Sequence, residues 1–425
     1  MTTVPLTEPL TPQDPRLALR GRVVLPDAVL EDGVVVIAGD RLGWVGPWAQ
    51  AGDVLAPGAR VRTVHTILPG LVDLHCHGGG GASFPDATDA AQVLTAAHEH
   101  LRHGTTSLVA SLVTADAATL LERTALLADA ADAGELAGIH LEGPFLSAAR
   151  CGAQDPRLMV PGDADLVRAV AETARGHLAT MTVAPEVPGV LTARAANSAP
   201  ECESAVGALA AVGAVPSFGH TDAPAELVEA GLAQAVEALA SPGSRSARPT
   251  VTHLFNGMRP LHHRDPGPVA ACLAAAARGA AVVELVADDV HLAPATVRSV
   301  FAMVGPGSVA LVTDAMAAAG MPDGTYQLGP MAVRVAGGVA RLADGDAIAG
   351  GTAHLLDVVR ATVSAGVPLA DAVRAAATTP AAVLGRPDLG ALEAGRRADV
   401  LVVDAELRPV EVLRAGRPAG GSAGG

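Results

Sequence analysis

Between residues 71 and 315 the chain carries eight short apolar runs, LVDLHCH, SLVASLVT, AGIHLEG, TMTVAPE, AVPSFGHT, PTVTHLFN, AVVELVAD and SVALVTDA. Each is continuous rather than alternating, the pattern of strands buried on both faces. Most are followed by Ala- and Leu-rich stretches with helical spacing, such as DATDAAQVLTAAHEHLRHG at 86–104. Eight strand-and-helix units predict an α/β fold, a (β/α)8 TIM-like barrel over residues 67–385.

The pattern changes on either side of the barrel. Residues 16–66 hold β-rich pieces (GRVVLP, GVVVIAGDRLGWVG, RVRTVHTIL) separated by turn residues, and GRRADVLVVDAELRPVEVLRAG reads the same way. Segments 16–66 and 386–416 therefore predict a small β-sandwich domain formed from both chain ends. GTYQLGPMAVRVAGGVARLADG, 324–345, predicts a β-hairpin inserted after the eighth strand. Residues 1–15 and 417–425 are rich in turn-forming residues and are expected to be disordered.

Composition narrows the chemistry. Half of the 425 residues are hydrophobic but only 2 % are aromatic, so small aliphatic side chains must fill the core. Net charge is −15 with scattered basic residues, which argues against nucleic acid or an anionic membrane as partner; an anionic small molecule would need a local basic pocket. All 29 basic residues are arginine. Without lysine there is no P-loop lysine and no Schiff base. The first residues lack the charge and apolar pattern of a signal peptide, and no run of about 18 apolar residues occurs, so a soluble cytoplasmic protein is expected. Cys76, Cys151, Cys202 and Cys272 show no CxxC spacing, against a zinc ribbon or a disulfide framework.

Several of the predicted strands end in a potential metal ligand: His75 and His77, Glu142, His220, His253 and Asp314. Barrel enzymes react at the C-terminal ends of their strands. His75 and His77 are two residues apart and so share one strand face. The glycines at 78–81 would let backbone and substrate approach closely. Any one of these histidines alone would read as a hydrogen-bonded core residue; six ligands at strand ends do not. Imidazole and carboxylate without thiolate suit Zn²⁺, Fe²⁺ or another divalent first-row ion, with ligands enough for two. His98, His100 and His103 fall on one helix and read as solvated.

PGLVDLHCHGGGG, HLEGPFL, GHTDA, THLFNGMRPLHHRDPG, LVTDAM and GALEAGRRADVLVVD together resemble the amidohydrolase superfamily, and within it the N-acetylglucosamine-6-phosphate deacetylase family. The resemblance implies a homodimeric barrel enzyme that releases acetate from a sugar phosphate. It makes Glu142, His220 and His253 the principal metal ligands and Asp314 the catalytic acid/base. His75 and His77, absent from some members, favour a second ion bridged by Glu142; the carboxylated lysine of many relatives is not available here. The resemblance assigns substrate contacts to Ala153, Gln154, Asn256, Gly257, Arg264, His291, Ile348 and Gly350, with Arg264 and His291 for the phosphate. It gives His140 no metal role. One departure stands out: where the family commonly reads Lys-Gly-x-His, this chain has RCGAQ at 150–154, so Gln154 can donate a hydrogen bond but carries no charge. A deacylase of another N-acyl substrate on the same scaffold, or a barrel without chemistry, are the alternatives.

Overall fold

The computed structural model describes residues 17–55, 60–192 and 203–419; Cys202 and the segment 1–15 lie outside them. The N-terminal strands β1 (Leu17–Val24), β2 (Val29–Ala38), β3 (Arg41–Pro47) and β4 (Arg60–Pro69) hydrogen-bond with β16 (Val400–Val403), β17 (Pro409–Arg414) and β18 (Arg417–Pro418) from the other end. Their continuous order is β18-β17-β16-β4-β1-β2-β3, with β1 parallel to β4 and β16 antiparallel to it. Leu19, Val35, Ile67, Val400 and Leu413 fill one of its cores. Of the expected tail, Arg417 and Pro418 pair with Arg414 and Leu413, and residues 420–425 lie outside the described residues.

The barrel strands are β5 (Leu71–Cys76), β6 (Thr105–Leu112), β7 (Gly138–Glu142), β8 (Leu178–Val183), β9 (Val215–Phe218), β10 (Thr250–Val251), β11 (Val282–Leu285) and β12 (Val309–Leu311). They pair in parallel in chain order, and every residue in them is buried, which is why the eight runs are apolar without alternation. Asp314 N–H donates to His75 O at 2.9 Å and His77 N–H to Ala315 O at 2.7 Å, joining first strand to last. Among the described residues eight helices alternate with the strands: α1 (Ala90–Arg102), α2 (Ala117–Asp132), α3 (Ala164–Thr173), α4 (Ala205–Ala211), α5 (Ala225–Leu239), α6 (Gly267–Ala277), α7 (Pro294–Val304) and α8 (Leu355–Ser364). Asp89, Asp116, Asp163 and Ser204 cap four of them by accepting backbone N–H bonds. Alanine on the facing helices lets them lie close, so the core is built with few aromatic rings, chiefly Phe84, Phe145 and Phe218.

Gly70 joins β4 directly to β5. A Cβ there would sit 2.2 Å from Thr106 Oγ1 and 2.7 Å from Asp399 Cβ, so only glycine lets the small sheet press against the barrel. The inserted segment has three strands rather than two: β13 (Gly324–Leu328), β14 (Met331–Ala336) and β15 (Val339–Leu342), all antiparallel. It holds two turn signals, Gly329-Pro330 and Gly337-Gly338, where a hairpin needs one. Leu328, Val333, Val335 and Ala340 pack on Val113 and Met316, seating this sheet over the barrel mouth.

Candidate active site

The strand ends bring the six expected ligands together. His75 lies in β5, His77 just beyond it, and Glu142 is the last residue of β7; His220, His253 and Asp314 follow β9, β10 and β12 within three residues. Those last three have φ of 46°, 28° and 47°, the left-handed region that non-glycine residues avoid. Surrounding bonds hold them there, turning each side chain into the mouth.

Glu142 turns both of its oxygens on imidazoles. Oε1 lies 2.8 Å from His253 Nε2 and 3.0 Å from His220 Nε2, and Oε2 lies 3.1 Å from His77 Nε2. His75 Nε2 and His77 Nε2 are 3.0 Å apart, and those of His220 and His253 are 3.2 Å apart. Asp314 Oδ1 sits 3.3 Å from His77 Nε2 and 3.4 Å from His75 Nε2. All six side chains are buried or nearly so.

The chemistry of this donor set asks for cations. His77 Nδ1–H donates to Ser111 O at 3.2 Å and His220 Nδ1–H to Arg150 O at 2.7 Å; a carbonyl only accepts, so each neutral ring turns its Nε2 lone pair on a Glu142 oxygen. That contact is repulsive unless a proton or a metal ion lies between. Burial opposes charge on His75, His77 and His220, yet the Glu142 and Asp314 carboxylates raise their pKa values above the ordinary imidazole value. Burial likewise opposes the Glu142 and Asp314 anions, and the surrounding histidines hold both carboxyls below the usual range. Two triads, His75–His77–Glu142 and Glu142–His220–His253, have ligand atoms close enough for one ion each, with Glu142 common to both. The residues fit a divalent ion in either position.

A layer beneath was not legible in the sequence. Glu284 in β11 accepts from His75 Nδ1 at 3.2 Å and from His253 N–H at 3.3 Å, leaving His75 Nε2 for a metal. Asp73 accepts from Thr313 Oγ1 at 2.6 Å and from His75 N–H at 3.2 Å; burial pushes its pKa up to about 7 against those bonds. His140 bonds Ser111 Oγ at 2.9 Å and Thr182 Oγ1 at 2.8 Å, and burial holds its pKa well below the ordinary value, so it supports the floor and is in neither ligand triad. Strand parity was the available signal: Asp73 lies two residues before His75.

A pocket of about 250 Å³ opens above the triads, lined by Ala153, Gln154, Asn256, Gly257, His291, Ile348 and Gly350 among others, together with His77, Glu142, His220, His253 and Asp314. Gly257, at φ 59°, is needed there: a Cβ would lie 2.8 Å from His220 Nδ1. His291 Nδ1–H donates to Asp288 at 2.8 Å; burial opposes its charge, but that carboxylate raises its pKa. Arg264 is not in the lining; it is exposed, with Nη1 2.9 Å from His263 Nε2. A larger groove of about 790 Å³ beside Arg157 and Arg168 contains none of the candidate residues.

Two expectations are corrected. The glycines at 78–81 line no part of the pocket and instead admit α1: a Cβ on Gly79 would lie 2.7 Å from His100 Nε2. His100 is accordingly buried, donating to Gly78 O at 2.8 Å, with its pKa pushed down to about 4 by burial. Beside it, Glu99, His103 and His354 form a third group of potential ligands. The His103 and His354 rings are stacked 3.6 Å apart at 14°, so one ion cannot lie in both ring planes.

The sequence profile of the amidohydrolase family matches residues 66–421. N-acetylglucosamine-6-phosphate deacetylase of Lysinibacillus sphaericus is 32 % identical, over 83 % of this chain and 84 % of its own. N-acetylgalactosamine-6-phosphate deacetylase of Escherichia coli O157:H7 is also 32 % identical, over 84 % and 89 %. A mutant N-acetyl-D-glucosamine-6-phosphate deacetylase of Mycobacterium smegmatis, solved in complex with N-acetyl-D-glucosamine-6-phosphate, superposes with a TM-score of 0.83 at 39 % identity, over 95 % of this chain and 99 % of that one. With candidate ligands at the mouth of a parallel barrel and a match running from the end of β4 through the barrel into the C-terminal strands, the chain belongs to the amidohydrolase family.

Proposed function

We propose that the chain hydrolyses N-acetyl-D-glucosamine 6-phosphate to D-glucosamine 6-phosphate and acetate, in amino-sugar catabolism and cell-wall recycling. The observation that carries this reading is the pair of buried triads sharing Glu142, with Asp314 beside them in one pocket. Glu142, His220 and His253 would hold one ion and His75, His77 and Glu142 a second, Zn²⁺ being the first candidate. Such an ion supplies an acidified water and draws charge from the acetamide carbonyl.

Asp314 is the acid/base. Its carboxyl lies below the usual range, so it starts ionised, accepts a proton as water adds to the carbonyl carbon, and returns it to the amine nitrogen as the C–N bond breaks. His291, made more basic by Asp288, offers the phosphate a cationic imidazole at the pocket wall, and Arg264 on the exposed loop beyond offers a second cation. Asn256 and Gly257 present amide groups to the sugar, and Ala153, Ile348 and Gly350 shape its walls. The enzyme works as a cytoplasmic homodimer.

The test is acetate release from N-acetylglucosamine 6-phosphate, N-acetylgalactosamine 6-phosphate and unphosphorylated N-acetylglucosamine, on protein of measured metal content. The glucosamine phosphate should give the highest kcat/KM. Faster turnover of the galactosamine phosphate would move the assignment to that epimer, whose Escherichia coli enzyme is 32 % identical against 39 % for the glucosamine enzyme of Mycobacterium smegmatis. Absence of turnover of all three by metal-loaded protein would refute it.

A further inference from the structure

Gln154 stands where the family resemblance places a substrate contact, but both ends of its amide are engaged by the protein. Thr114 N–H, which can only donate, lies 2.8 Å from Oε1, and this fixes the amide so that Nε2 faces Glu142. Nε2–H donates to Glu142 Oε2 at 2.6 Å. Thr114 is tied in turn to the same strand end, its Oγ1–H donating to Glu142 O at 3.1 Å. Gln154 is only 5 % exposed and its own N–H bonds Cys151 O at 2.9 Å, so the amide is held from both directions.

We infer that Gln154 is a positioning residue for Glu142: it pins Oε2 and thereby fixes the plane of the carboxylate and aims Oε1 at His220 and His253. Among the described residues Glu142 has no other neutral donor; the remaining groups around its oxygens are imidazoles that a metal would recruit. Without the amide, the carboxylate is free to swing about its last bond, and the geometry for an ion must be set on binding instead of beforehand. A neutral donor also suits this place, since a cation there would compete with the metal for the negative charge of Glu142. The inference rests on the metal-dependent reading of the site.

Gln154→Met removes the donor at nearly the same volume, and Gln154→Glu puts a second carboxylate against the first. Zn²⁺ alone is titrated calorimetrically into chelator-treated protein, and kcat and KM for N-acetylglucosamine 6-phosphate are measured at saturating Zn²⁺. In Gln154→Met the tightest Zn²⁺ dissociation constant should rise roughly 10-fold to 100-fold, the usual effect of removing a bond to a ligand. KM at saturating Zn²⁺ should stay within about 3-fold of wild type, a change too small for a lost substrate hydrogen bond. Gln154→Glu should alter Zn²⁺ binding as well, which loss of shape alone would not predict for so similar a side chain. Unchanged Zn²⁺ affinity with a raised KM would overturn the inference and make Gln154 a substrate donor. If the wild type binds Zn²⁺ but hydrolyses no N-acetyl sugar phosphate, the deacetylase reading fails while the Zn²⁺ titration still decides the role of Gln154.

Discussion

Replacing Asp314 by Asn separates proton transfer from everything else the site does. The residue sits at φ 47°, where asparagine is among the best tolerated residues, so the backbone should keep its turn. The main-chain bonds of residue 314, its N–H to His75 O at 2.9 Å and its O from Gly351 N–H at 2.6 Å, do not involve the side chain. Neither ion triad includes Asp314, so Glu142, His220 and His253 should retain their metal. What disappears is a carboxylate that can take a proton and give it back. A positioned acid/base contributes about 10²-fold to 10⁴-fold. The barrier should therefore rise by about 2.7–5.5 kcal/mol. Acetate release gives kcat, and elemental analysis of the same sample gives the metal. A variant that keeps its metal and more than a tenth of wild-type kcat would refute the proton-shuttle role; one that loses metal and activity together would make Asp314 chiefly a ligand.

Changing His75 and His77 together to Asn should leave one ion per chain, held by Glu142, His220 and His253; elemental analysis checks it, and a wild type that never exceeds one ion would refute the two-ion reading. Arg264→Ala should lower kcat/KM for the phosphorylated sugar by roughly 30-fold to 1000-fold while sparing the unphosphorylated one. An equal loss on both sugars would exclude a phosphate contact. Asp357 caps α8 by accepting from His354 N–H at 3.1 Å and pairs with Arg360; burial opposes its charge, but the bonds to His354 hold its carboxyl below the usual range. Asp357→Ala should lose about 1 kcal/mol at neutral pH, solvent screening limiting the effect. Because that folded-state pKa is depressed, the contribution is fully present above the unfolded value and is lost as pH falls through the folded one. The stability gap between wild type and variant, from urea unfolding, should be flat from about pH 8 to 5 and narrow below about pH 4. A gap that does not narrow would point to packing instead.

The barrel and the gathering of candidate ligands at its mouth were readable because burial on both faces and strand-end chemistry both leave marks on short windows of sequence. Glu284 left none: a single Glu in AVVELVAD looks like any strand polar residue until His75, from the other side of the sheet closure, is seen to lean on it. His100 was misread because helix spacing alone gave no hint that a four-glycine loop would press against it. The third strand of the insert follows from its two turns, at Gly329-Pro330 and Gly337-Gly338, where the expected hairpin needs one. Gln154 shows the limit of resemblance, which supplies a position but not the partner; the amide's orientation follows from Thr114 N–H, forty residues away in the chain.

The backbone bonds that join β5 to the segment after β12 are made by His75, His77, Asp314 and Ala315, so the seam of the barrel runs through its own active site. β12 has only three residues, and Cys76 and Ala315 add one bridge beyond it. Local opening at that seam would carry Asp314 away from His75 and His77 while Glu142, His220 and His253 stay in register on their own strands. Warming should then silence the enzyme before it melts, leaving a folded protein in which the Glu142, His220 and His253 group is still intact. Synthesis runs the same order forwards: Asp314 leaves the ribosome last of the six, so the growing chain holds the four imidazoles and Glu142 before it holds the carboxylate proposed to move the proton.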